Sequence, residues 1–228
     1  MSNTNDDNNG INLLCDGMNN QKLKKTIKLN RAHIVTFSLP AVDTCPGADK
    51  CLKGGYCHAG NYRFKSNVDK QSINYAISQS DRFVDMVCTE LADKWTYSRY
   101  VRIHPTGDFY SMDYFKKWVA IAIRNPGVIF YAYTKSIDII QEFKKADKIP
   151  VNMFITYSYG SKYDDMINPT TDYHAVVIGP NDNIPTGYVD GSIDDLVMCK
   201  GNKRIALKYH HPHIKFEDSG FIEIVNPF

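Results

Sequence analysis

Short runs rich in β-branched and aromatic residues alternate with amphipathic segments along this 228-residue chain. That alternation restricts the fold more than any other feature, because strands separated by helices pair in parallel. The runs lie at 34–39, 100–104, 128–133, 151–157, 175–178 and 205–209. Between the first two, Ile73, Ala76, Ile77, Val84, Val87, Cys88, Leu91 and Trp95 recur at three- and four-residue steps, which predicts one amphipathic helix with Cys88 on its buried stripe. Ser111 is the expected N-cap of a helix through Trp118 to Arg124, residues 137–145 form the next, and 192–198 a further short one. The reading is an α/β fold, mainly a parallel sheet curled as a partial (βα) barrel. It has one domain over 21–228, preceded by a disordered or loosely docked Asn/Asp-rich arm over 1–20.

Composition narrows the class of protein. Lys+Arg 27 against Asp+Glu 25 leaves a formal charge of +2, so the total makes no electrostatic case for nucleic acid. A local patch is still open, and Lys22, Lys24, Lys25 and Lys28 form such a run, read as a solvated face. No apolar run approaches the roughly 20 residues that span a bilayer. The polar, acidic start lacks the order of a signal peptide, which predicts a cytoplasmic protein with reduced thiols. Its six cysteines then read as metal-binding, catalytic or buried, with Cys15 a bystander.

Directly after the first strand comes the most specific stretch, PAVDTCPGADKCLKGGYCHAGNYRF, with the cysteine loop at 42–60. Cys45, Cys51 and Cys57 stand six residues apart among four glycines and two prolines. So short a loop has no core of its own for three thiols, but it can wrap them around one soft metal centre, most naturally iron–sulfur. Zinc, the alternative, usually takes close C-x2-4-C pairs, which are missing here.

In parallel α/β folds ligands bind at the carboxyl ends of the strands. That rim would gather the cysteine loop, His104 to Asp108, Thr134-Lys135-Ser136, Ser158, and His210, His211 and His213. His104, Asp108 and Lys135 are therefore the expected catalytic groups facing a small-molecule substrate. Gly107, Thr134, Ser136 and Ser158 are the expected cofactor contacts, and Cys45, Cys51 and Cys57 the metal ligands.

Three thiols on one loop after the first strand of a partial barrel resemble the arrangement of radical S-adenosylmethionine enzymes. The resemblance implies a [4Fe-4S] cluster with one open iron, S-adenosylmethionine as a second cofactor, and a Gly107-Asp108 turn for its amino group. The segments TCPGADKC with Cys57-His-Ala, RIHPTGDFYSMDYFKKW and FYAYTKS, in that order, also resemble the phage family called gene product 88. This second resemblance runs from about Phe37 to Ser136, with weaker similarity near 199–211. It implies a phage or mobile-element protein acting in the host cytosol, and makes Cys199 the candidate fourth ligand. Two other readings stand beside the iron–sulfur enzyme. One is a zinc-stabilised binding module using His58, Cys199 or a later histidine, with the basic run on nucleic acid. The other is a metal-free thiol enzyme using Cys57 with His58 or His104.

Overall fold

A computed structural model describes residues 10–53, 57 and 65–209, with Lys65 and Ser66 in backbone only. Its centre is an eight-stranded sheet in the order β1-β2-β3-β4-β5-β6-β8-β7. The strands are β1 (Cys15–Asp16), β2 (Ile34–Phe37), β3 (Tyr100–Ile103), β4 (Ile129–Thr134), β5 (Met153–Ser158), β6 (His174–Ile178), β7 (Val189–Asp190) and β8 (Arg204–Lys208). Every pairing is parallel except β1 against β2. The sheet is open, with β1 and β7 at its edges, and agrees with the expected partial barrel.

Period-two alternation sorts side chains onto two faces. Val101, Ile103, Phe130 and Ala132 join the larger core, under α3 (Lys65–Gln79), α4 (Phe83–Asp93), α5 (Met112–Arg124) and α6 (Ile137–Ala146). Tyr100, Tyr131 and Tyr133 face the opposite way, into a second core closed by α1 (Gln21–Asn30) and the 194–200 segment. A one-turn helix, α2 (Lys50–Lys53), lies inside the cysteine loop. Ser111 does cap α5, its side chain accepting from the Tyr114 N–H.

Three local expectations are corrected. Residues 10–20 are not a loose arm: Leu13 and Leu14 are buried, and their N–H groups donate to the Glu90 carboxylate. Cys15 and Asp16 pair with β2, so the apolar pair Leu13-Leu14 outweighs the polar composition around it. The helix predicted across 73–95 is two helices, broken at 80–82. Lys117 Nζ donates to the carbonyls of Ser78, Gln79 and Ser80, closing α3 before α4 begins. Residues 192–198 contain a turn followed by a 3-10 helix at Val197–Lys200, and Asp194 accepts from the Leu196 N–H instead of allowing a regular helix to start.

Candidate thiol centre at the carboxyl rim

Cys45 and Cys51 are carried on the loop after β2, and that loop is strapped across the ends of β4 and β5. Ala48 forms an antiparallel bridge with Ser161, and the Lys50 N–H donates to the Gly160 carbonyl. Ser161 Oγ reaches the carbonyls of both Gly47 (3.0 Å) and Lys135 (2.7 Å), joining loop, β4 exit and β5 exit through one hydroxyl. Gly47 is required there, since a Cβ would stand 1.9 Å from the Lys135 oxygen. Gly107 has a similar constraint, with φ +80° and an added Cβ only 2.7 Å from Thr44 Oγ1.

The thiols carried on this loop are electrostatically coupled. Burial pushes Cys45 up to about 12, with Asp108, Cys57 and Cys51 adding to the rise. Burial also raises Cys51, while Lys135 opposes the rise and Cys57 reinforces it. Each of these cysteines thus lies within electrostatic reach of the other two. Among the described residues no three His, Cys, Asp or Glu side chains are close enough together to form a ready-made metal cage. In donor chemistry three thiols fit a thiophilic metal, because a cation would reverse the penalty that burial and mutual repulsion place on their thiolates.

Asp108 sits behind the thiols and is fully engaged. Its Oδ1 accepts from the Phe109 N–H (2.8 Å) and Thr134 Oγ1 (2.5 Å), and its Oδ2 from the Lys135 N–H (2.7 Å). Burial raises its carboxyl, and the three donors pull the other way. Thr134 Oγ1 in turn accepts from the Ser136 N–H (3.0 Å), while Ser136 Oγ is buried without a partner. Lys135 Nζ donates to Ser158 Oγ at 2.7 Å. Of the expected cofactor contacts, Thr134 and Gly107 are thereby structural supports of the rim, and Ser158 is the partner of Lys135.

His104 and Cys199 are placed elsewhere. His104 (φ 58°) turns into the aromatic layer of Phe37, Phe109, Tyr114 and Trp118, sharing a hydrogen bond with Tyr114 Oη at 2.8 Å. Burial, helped by Arg102, holds its imidazole well below the usual histidine range, as befits a neutral core residue. Cys199 packs in the second core beside Tyr131 and Tyr133, pushed up to about 12 by burial and Asp195. Its electrostatic neighbours are Asp195, Arg102, Asp194 and Lys200, and none of the loop thiols. His58, His210, His211 and His213 lie outside the described residues.

Sequence reasoning missed two groupings. Ser161 was not singled out, because a lone serine past a strand carries no signal. The other is a buried ionic triad on the opposite face, with Asp195 2.7 Å from Lys22 Nζ and 3.0 Å from Arg102 Nε. Burial pushes the Asp195 carboxyl up, but the two cations outweigh it and hold the group below its ordinary range.

Fold and rim define an open, mostly parallel α/β protein whose first crossover carries the cysteine loop. The model of one family, described as gene product 88, matches residues 12–223, and the chain belongs to that phage family. No curated protein and no solved structure matches the chain. No described helix is long and apolar enough to cross a membrane.

Proposed function

We propose that this protein binds a thiophilic metal centre, an iron–sulfur cluster, through Cys45, Cys51 and Cys57, with Lys135 and Ser158 facing a small molecule beside it. The observation that supports this reading is three thiols on one clamped loop at the strand ends, with Cys45 and Cys51 electrostatically coupled to each other and to Cys57. When bound, such a cluster supplies electron transfer or Lewis-acid chemistry. The chain's own contribution is positional: Ser161 and Gly47 lock the loop, and Asp108 locks the β4 exit to the β3 exit. The Lys135 ammonium lies where it offsets negative charge on Cys51.

Several of the expected roles do not enter the proposal, that of the core residue His104 among them. Asp108 spends both oxygens on its own chain, so it is read as a support, not as the acceptor of a cofactor's amino group. Cys199 is left out of the ligand set, and the fourth position is assigned to no residue. Zinc in the same three thiolates is the competing occupant.

The test is iron, sulfide and zinc analysis of protein purified without oxygen, with electron paramagnetic resonance after reduction. The expected result is a coloured, iron-bearing protein that loses its iron in Cys45→Ser, Cys51→Ser and Cys57→Ser and keeps it in Cys199→Ser. Tightly held zinc with no colour moves the reading to a structural zinc site. Metal-free protein after reconstitution overturns it.

A further inference from the structure

The most one-sided charge distribution among the described residues is on α1, far in role from the thiols. Gln21–Asn30 contains four lysines and no acid, and Arg31 follows as its left-handed C-cap. The structure divides these five cations. Lys22 turns inward to Asp195, whereas Lys24, Lys25, Lys28 and Arg31 are exposed and have no ion-pair partner among the described residues. Carboxylates close to α1 are already spent: Asp195 on Lys22 and Arg102, and Asp194 on Lys200.

The helix is also held rigidly in that pose. Thr26 Oγ1 accepts from the Asp195 N–H, Asn30 donates to Asp194, and Lys200 Nζ donates to Asn30 Oδ1. Leu23 and Ile27 are packed into the second core, so the apolar side of α1 is not available to enter a lipid surface. What remains outside is a stripe, Lys24, Lys28 and Arg31 at i, i+4 and i+7, with Lys25 beside it. Over about 10 Å of helix that stripe offers positive charge, with Leu29 the one large apolar side chain exposed on α1.

We infer that the outer face of α1 is a nucleic-acid contact surface, in which Lys24, Lys25, Lys28 and Arg31 engage backbone phosphates without reading base sequence. A phosphate backbone is the partner that fits, because it presents regularly spaced negative charge and demands no apolar groove. The surface is independent of the metal reading and stands or falls without it.

The experiment is fluorescence-anisotropy titration of the full chain with a short random-sequence DNA duplex across a salt series. Four phosphate contacts predict a log–log salt slope of about −3.6, or roughly a hundredfold loss of affinity between about 50 and 200 mM salt. The variant Lys24→Gln/Lys25→Gln/Lys28→Gln/Arg31→Gln should abolish binding at the higher salt and bring the slope close to zero. A control with the same charge change at Lys116, Lys145, Lys148 and Lys162 should keep both affinity and slope. Thermal melting of the two variants verifies that each is folded, and the single change Lys28→Gln should lower the slope by about one. The inference is overturned by absent binding, by a slope near zero in the parent chain, or by equal losses in the two multiple variants. Binding to phosphatidylserine vesicles in place of DNA overturns it as well.

Discussion

At the scale of single residues, the rim depends on a few side chains that each satisfy several backbone groups. Ser161 Oγ lies within reach of two carbonyls from different segments; Ser161→Ala takes the hydroxyl donor from Lys135, while Gly47 keeps the Lys162 N–H, and should cost about 1–3 kcal/mol of stability by chemical denaturation. Because those carbonyls belong to Gly47 and Lys135, metal retention should fall in the same variant. Gly47→Ala should be more severe for metal binding than for folding, since the added methyl collides with the Lys135 oxygen and must displace the loop. Asp195→Ala strands Arg102 and Lys22 without their shared counter-ion and should cost about 3–5 kcal/mol, while the cysteine loop is untouched. Comparing iron content with melting temperature in these three variants separates supports of the site from supports of the fold.

At the scale of elements, the amino-terminal strap carries more than its length suggests. Leu13, Leu14 and β1 close one edge of the sheet and are tied to α4 through Glu90, which also accepts from Trp95 Nε1 at 3.1 Å. Leu14→Ala should therefore destabilise the protein by about 2–5 kcal/mol, a core-sized effect measurable by urea unfolding. A loosely attached arm would give almost none. Lys117 has a comparable role between helices, where one ammonium ends α3 at three carbonyls. The break at 80–82 was illegible because apolar spacing continues in phase across it, and the group that enforces it comes from α5, 37–39 residues further along the chain.

For the molecule as a whole, acid sensitivity follows from buried histidines. Burial lowers the imidazoles of His104 and His174 from the ordinary 6.5, so both are neutral in the folded protein. The unfolded chain binds protons at these positions once pH falls below about 6.5, and the folded protein does not. Their contribution to stability is thus complete above that pH and declines as pH falls below it. Asp195 acts in the same sense but lower down: its depressed carboxyl stabilises above the ordinary 3.8, and that stability is lost as pH falls through the folded value. Denaturation midpoints between about pH 7 and 5 should decline, and His104→Asn, which tolerates the positive φ, should flatten that decline. An unchanged slope in the variant would remove His104 from the account.

The alternation of apolar runs determined the sheet, its mostly parallel pairing and the strand cores to within a residue or two, because those depend on local periodicity. Once the strands are parallel, the loops that follow them share one rim, and so the placing of the cysteine loop, Asp108, Lys135 and Ser158 at the strand ends was also legible. Which of those residues are spent on holding up the rim was decided only by the tertiary structure. Asp108 is consumed by Thr134 and Lys135, His104 rotates into the aromatic layer, and Cys199 packs on the other face of the sheet. The reason is physical. Periodicity sets which way a backbone runs, but a polar side chain's role depends on the donors, acceptors and charges that distant segments bring within about 3 Å of it.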